Sequence, residues 1–233
     1  MLDVARFFDE FADRYSEAIR RSNPCYDAML ASAFEALPGD FAPRAILELG
    51  CGTGTQTLLL RARWPEAAIT ANDVSAEALA ECERRVASPL VHTVKADMAA
   101  LDFPPDAFDL VISSLATHHL SDTQKRALCV AIERWLRPGA WFVLCDRFRE
   151  SAPHLAELHR RLRRENAFAR GATTEEWERW SEHEREHDRP CSITDQLSWL
   201  RAAGFASDDC VWRRYMWATV LAGKSPSAGV SAP

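Results

Sequence analysis

The stretch Ala45-Ile-Leu-Glu-Leu-Gly-Cys-Gly-Thr-Gly54 decides the fold. Its first half is a short, almost wholly apolar run of the kind that forms a buried parallel strand. Its second half places three glycines at alternate positions, so the backbone can turn tightly there and approach a ligand at the start of the following helix. A glycine-rich turn alone says little. Its neighbours are more specific: Glu48 stands two residues before Gly50, and the spacing is Gly-x-Gly-x-Gly, not the Gly-x-Gly-x-x-Gly of dinucleotide folds. A carboxylate here repels a pyrophosphate and attracts the ammonium of an amino-acid moiety. Asp73, 19 positions after Gly54, ends the next strand, where an acid accepts ribose hydroxyls. Together these residues imply an adenosine that carries an amino acid and not a diphosphate.

Outward from that stretch, strands alternate with helices. Strands are expected at 67–72, 90–94, 108–114 and 141–145, with helices to about Arg63, over 76–85, and from the end of the fourth strand to Leu136. Such alternation means βαβ units and a doubly wound parallel sheet. Helical spacing of Val4, Phe7, Phe8, Phe11 and Tyr15 predicts a helix over 3–20, and a second runs from Asn23-Pro24 to about Leu37, so 1–39 reads as an N-terminal helical segment. Residues 147–190 are highly charged and read as a helical cap insertion. A helix over 194–203 and strand-like runs near 210–214 and 217–222 resume the sheet. The whole reads as one domain over 1–224, followed by a Ser/Ala/Pro/Gly tail over 225–233 expected to be disordered.

Composition bounds the rest. With 233 residues, 47% of them hydrophobic, the chain can bury a real core. A formal net charge of −6 argues against a general nucleic-acid binder. No apolar run approaches the roughly 20 residues that span a bilayer, and the acidic start shows no signal peptide. The seven cysteines contain no Cys-x-x-Cys pair, which fits a reduced cytoplasmic setting and small hydrophobes in the core.

Ile46-Leu-Glu-Leu-Gly-Cys-Gly-Thr-Gly54 resembles motif I of the class I S-adenosylmethionine-dependent methyltransferases. Asn72-Asp-Val-Ser75 is similar to their ribose-binding acidic motif, Ala96-Asp-Met98 to the loop that reads adenine, Phe108-Asp-Leu-Val-Ile-Ser-Ser114 to their fourth strand, and Leu136-Arg-Pro-Gly139 to the turn before the fifth. The likeness covers roughly 40–223. It implies a Rossmann-like α/β fold whose seven-stranded sheet ends in a C-terminal antiparallel hairpin. It also implies S-adenosyl-L-methionine as cofactor, with S-adenosyl-L-homocysteine as product. Glu48, Gly50, Cys51, Gly52 and Gly54 would hold its amino-acid end, Asp73 and Val74 its ribose, and Asp97 and Met98 its adenine. The partner expected is a small-molecule acceptor, with a homodimer as a further option.

A weaker likeness, through Ile19-Arg-Arg-Ser-Asn-Pro-Cys-Tyr-Asp27 and Asp195-Gln-Leu-Ser-Trp-Leu-Arg-Ala-Ala-Gly-Phe205, is to the carboxy-S-adenosylmethionine synthase branch. It implies that Tyr26 and Ser114 touch the cofactor. That branch holds an extra carboxylate with an arginine where this chain has Trp199, which favours the unmodified cofactor; Arg201 falls on another helix face. A tRNA-modifying enzyme and a non-catalytic partner protein with the same fold are also compatible with these residues.

His118 and His119 follow the fourth strand, at the ligand-binding end of an open α/β sheet. His119 is the candidate proton acceptor, its imidazole suited to neutral pH; the plainer reading is that the pair closes the strand and packs over the cofactor. His183-Glu-Arg-Glu-His187 matches the zinc-protease spacing His-Glu-x-x-His, but a helix charged almost all round reads as solvent-facing, so the match reads as accidental and no metal is expected. The arginines between 160 and 170 read as the solvated face of a helix, and the tryptophans at 177, 180, 199, 212 and 217 mainly as packing.

Overall fold

The structure, a computed structural model, describes residues 15–227. Most of the helix expected over 3–20, and the end of the tail, lie outside the described residues. Two N-terminal helices, α1 (Tyr15–Ser22) and α2 (Tyr26–Glu35), lead into strand β1 (Ala45–Leu49). There follow α3 (Thr55–Arg63), β2 (Ala68–Asp73), α4 (Ala76–Val86), β3 (Val91–Lys95), β4 (Phe108–Ser114), α5 (Asp122–Trp135) and β5 (Leu136–Arg147). Then come α6 (Pro153–Ala169), α7 (Thr174–His187), α8 (Ile193–Ala203), β6 (Ser207–Arg214) and β7 (Trp217–Gly223). Among the described residues no helix is long and apolar enough to cross a membrane.

The seven strands form one sheet in the order β3-β2-β1-β4-β5-β7-β6. The first five are parallel, and β7 runs antiparallel to both β5 and β6, which makes the expected C-terminal hairpin. From β1 the chain winds outward to β3, then crosses back to β4 on the other side. The crevice at the ends of β1 and β4 is the switch point where such sheets bind ligands.

Side-chain alternation along the strands feeds two cores. Leu47, Leu49, Val111, Phe142 and Leu144 pack on one face with Ile132, Trp135 and Leu200 of α5 and α8. Ile46, Ile69, Leu110, Ile112, Val143 and Cys145 pack on the other with Met29, Leu30 and Leu60 of α2 and α3. Both faces are therefore covered, which explains the nearly continuous apolar strands. The cysteines are all free and, Cys210 apart, buried.

Three boundaries differ from expectation. The helix after β4 begins only at Asp122: Leu115 takes a positive φ of 51°, a 3-10 turn covers Thr117–His119, and a Ser121/Gln124 capping box starts the helix. Strand β5 starts at Leu136, because Leu136 already pairs with Phe108 before an irregularity resets the register to Leu110↔Trp141. Strand β6 begins at Ser207, earlier than its apolar pattern suggests, because it pairs along the whole of β7.

The insertion between β5 and α8 is helical, as expected, but its charges are not all solvated. Arg160, Arg161, Arg164 and Arg170 are exposed. Arg163 is buried: its Nε donates to the Ser22 carbonyl at 2.8 Å, its guanidinium pairs with Glu184, and it lies over Trp177 with 5.3 Å to the ring centroid. Glu184 also meets Arg147 of β5 at 3.2 Å, and Arg21 reaches Glu176 at 2.9 Å. These pairs fasten α6 and α7 to α1 and to the end of the sheet. Removing one partner of a buried pair leaves the other charge uncompensated. Arg163→Ala is therefore expected to destabilise the α6–α7 region by ~3 kcal/mol. Hydrogen exchange checks this: faster exchange over 153–187 with β1, β4 and β5 still protected is the expected pattern.

Candidate active site

A cleft opens at the β1/β4 switch point, walled by the ends of β1, β2 and β4 and by Tyr26 of α2. The glycine loop forms its floor. Gly50 and Cys51 both donate their N–H groups to the Asn72 carbonyl, at 2.8 and 2.9 Å, which folds the loop onto the end of β2. The Asn72 side chain then donates to the carbonyls of Val94 and Ala96, tying β2 to β3. Gly52 N–H donates to Asp73 Oδ2 at 2.8 Å, and Asp73 Oδ1 accepts from Ser75 N–H at 3.0 Å. Half-buried Asp73 is thus held in place by the backbone while lining the cleft.

Gly50, with φ +71°, has no room for a side chain: a Cβ there would stand 2.3 Å from Ala116 Cβ. Gly54 supports the loop from behind, where a Cβ would meet Cys82 Sγ at 2.7 Å. It is not part of the cleft wall.

Glu48 is 1% exposed and lines the cleft. Burial pushes its carboxyl well above the usual range, although the Thr57 hydroxyl donates to Oε2 at 2.7 Å. Nothing cationic from the protein lines the cleft among the described residues, so an ammonium from a ligand is the partner this carboxylate fits. Tyr26, also in the wall, is pushed up to about 12 by burial and stays a hydrogen-bond donor.

Cys51, Gly52, Val74, Met98, Ser114 and His119 line the cleft. Asp97 does not. Its side chain caps the 3-10 turn Met98–Ala100 by accepting from Ala99 N–H at 2.9 Å, so it shapes the edge that Ala96 and Met98 present. Trp199 also stands elsewhere, packed in the α5/α8 core with Arg126 over its ring at 5.1 Å. Arg201 is paired with Asp208. Nor do Trp177, Trp180, Trp212 and Trp217 line the cleft.

Sequence pattern alone misses Gln56, Asn72, Leu115 and Ala116 as wall residues. Gln56 is the most telling. It is 3% exposed, and neither its side-chain nitrogen nor its oxygen has a protein partner; Ser114 Oγ is alike. Buried polar atoms require partners, and both residues face the cleft, so they fit a ligand rich in donors and acceptors. The place of Gln56 in the first helical turn after the glycines is the signal that could have found it.

The two histidines separate in role. His119 lines the cleft, whereas His118 is buried behind it with Nδ1 2.5 Å from Asp146 Oδ1. Burial works against charge on both imidazoles. At His118, Asp146 and Asp188 overcome it and hold the group above its ordinary value. At His119, neighbouring His118 adds to burial and holds the group lower, so His119 is neutral near pH 7. The His-Glu-x-x-His segment is solvent-facing only in part: Arg185 and Glu186 are exposed, whereas His183 packs edge-on to His119, with ring centroids 5.6 Å apart, and is lowered to about 4 chiefly by burial and His119. The cap therefore touches the cleft wall through His183 and Asp188, although no cap residue lines the cleft itself.

Against known proteins, residues 46–139 match the family described as "Methyltransferase domain". The chain is 34% identical over 177 residues to a trans-aconitate 2-methyltransferase of Methylobacterium nodulans, covering 74% of this chain and 60% of that one. It is 34% identical over 119 residues to a malonyl-[acyl-carrier protein] O-methyltransferase of Neorickettsia risticii, covering 51% and 46%. The chain thus spans less than two thirds of either relative's length. Among solved structures, a putative S-adenosylmethionine-dependent methyltransferase from Listeria monocytogenes superposes with a TM-score of 0.60 at 22% identity, over 84% of this chain and 98% of that one. The putative methyltransferase complexed with the Haloferax volcanii Trm112 activator gives 0.65 at 18%, over 94% and 97%. Residues 46–139 thus match a methyltransferase domain, and the fold built around them is shared with solved structures of S-adenosylmethionine-dependent methyltransferases.

The loop geometry makes a paired prediction. Gly50→Ala combines a positive φ with a steric clash and should lower stability by about 2–4 kcal/mol. In Gly52→Ala the new Cβ meets open space, so only the conformational part, ~1–2 kcal/mol, is lost. Urea denaturation of the two variants checks the order.

Proposed function

We propose that this chain transfers the methyl group of S-adenosyl-L-methionine to a nucleophilic oxygen, nitrogen or carbon of a small molecule, releasing S-adenosyl-L-homocysteine. The observation that carries the reading is the buried Glu48 carboxylate, set beside a glycine loop whose Gly52 amide is fixed to Asp73. When bound, the cofactor supplies an activated methyl group on a sulfonium. Glu48 accepts from its ammonium, Asp73 from its ribose hydroxyls, and the Ala96–Met98 edge packs against adenine. Gln56 and Ser114 fit its remaining polar atoms. Tyr26 closes the α2 side and helps exclude water. Aligning the acceptor supplies much of the rate in such a reaction. His119, neutral and in the wall, takes the proton that an acceptor hydroxyl or amine loses. The absence of arginine and lysine from the described cleft wall favours the unmodified cofactor over a carboxylated one, and the net charge of −6 favours a small acceptor over tRNA.

Calorimetry with S-adenosyl-L-homocysteine tests the donor site. Asp73→Ala should abolish binding, and Glu48→Gln should weaken it about 10–100-fold, the worth of a charge-assisted hydrogen bond. Unchanged affinity in Asp73→Ala would overturn the assignment. On the acceptor side, His119→Ala should slow turnover by ~100-fold or more while donor affinity stays the same; undiminished turnover across the pH range would remove His119 as base.

A further inference from the structure

Three separate parts of the chain deliver imidazoles and carboxylates to one point. His118 and His119 come from the turn after β4, Asp146 from the end of β5, and Asp188 from the end of α7. The side chains of His118, His119 and Asp188 are only 8%, 7% and 4% exposed. Asp188 Oδ1 stands 3.3 Å from His119 Nδ1 and 3.7 Å from His118 Nε2, and one donor atom from each residue lies within 4.8 Å of the others.

The neighbouring contacts orient these atoms. Asp146 Oδ1 holds His118 Nδ1, and Oδ2 accepts from the Thr117 hydroxyl at 2.6 Å and from the His118 amide at 3.1 Å. An imidazole that donates Nδ1–H to a buried carboxylate turns the lone pair of Nε2 outward, the arrangement found behind metal-bound histidines. The other Asp188 oxygen is held by Arg147 at 2.5 Å, which leaves Oδ1 toward the imidazoles. Among the directly paired groups here, the carboxylates of Asp146, Asp188 and Glu184 outnumber the guanidiniums of Arg147 and Arg163 by one.

We propose that His118, His119 and Asp188 bind a divalent first-row transition-metal ion, with Asp146 positioning His118 behind it. Two imidazoles and one carboxylate suit zinc or iron(II), and not calcium or magnesium, which prefer oxygen alone. Metal–ligand bonds of about 2.0–2.2 Å set the donors of such a centre roughly 3–3.6 Å apart. Two of the separations are already near that size, and rotation of the side chains closes the rest. Three protein donors leave positions for water or a further ligand. Since His119 also belongs to the cleft wall, the ion borders the cleft, and because coordination uses the one basic nitrogen of that imidazole, His119 serves as proton acceptor only in the metal-free chain. The His-Glu-x-x-His motif is the competing site: the rings of His183 and His187 lie 4.9 Å apart, but Glu184 between them is engaged by Arg147 and Arg163.

The site does not depend on the methyl-transfer reading, because the test uses the full chain without donor or acceptor. After chelator treatment the protein is titrated with Co²⁺ and followed by visible absorption and by pulsed electron paramagnetic resonance. The expected result is one ion per chain, with d–d bands and nitrogen couplings from imidazole. Asp188→Asn should weaken binding about 100-fold, and Asp146→Asn about 10-fold, the effect of losing an outer partner of a ligand. His187→Ala should leave the spectrum in place. No d–d bands, thiolate charge-transfer bands, or loss of binding in His187→Ala with retention in Asp188→Asn would each overturn the proposal. If Asp188→Asn fails to fold, the unaltered chain still decides: Co²⁺ without imidazole coupling excludes the site.

Discussion

The cleft depends on a few backbone hydrogen bonds between the glycine loop and the end of β2. Gly50 and Cys51 share the Asn72 carbonyl, and Gly52 reaches the Asp73 carboxylate. Those contacts require the chain to reverse direction immediately after β1, which only a positive φ permits, and at Gly50 the backbone also lies against Ala116. The same carbonyl belongs to the residue whose side chain ties β2 to β3. One asparagine therefore aligns three strand ends. The acid beside it, Asp73, is positioned by that alignment and by the Gly52 and Ser75 amides that its carboxylate accepts from.

Glu48 shows what this frame is built to tolerate. Its neighbours Leu47 and Leu49 are buried in the core on one side of the sheet, and Ile46 in the core on the other. A carboxylate in that company has lost its water and gained one hydroxyl donor. Burying it without a full set of partners is unfavourable, and an apolar residue would pack there at less cost to stability. Such a group is retained where a ligand completes it, which is why the buried carboxylate is more informative about the site than the glycines are.

Much of this was legible in the sequence because it is local. The glycines, Glu48 and Asp73 lie within a single β-α-β unit, where spacing alone fixes which residues meet at the strand ends. The parallel strands were legible for the same reason, as short apolar runs. What failed was non-local. The 3-10 turn at Thr117–His119 delays α5 because His118 is drawn to Asp146, a residue 28 positions away. Helix α7 is charged almost all round, so its pattern reads as solvated; the face of it that is covered is held by Arg147 and Arg163, which no periodicity reveals. Trp199 stands at the position that decides between cofactors in the similar branch, yet it packs in the core. Its identity therefore bears on the cofactor only indirectly, and the composition of the cleft wall is the stronger argument.

The cap and the cleft are linked by the same non-local groups. Arg147 leaves β5 and holds both Glu184 and Asp188 of the cap, while Asp146, its neighbour, faces the opposite way to His118. Alternation along one strand thus sends one charge to the cap and the other to His118, behind the cleft wall. Between them lie His118 and His119, with ring centroids 4.2 Å apart, only the second reaching the cleft. The position of α7 is therefore read by His119 through Asp188 and His183 without any cap residue entering the cleft. An insertion of this kind need not enter the cleft to influence it. Here it sets the surroundings of His119 in the cleft wall.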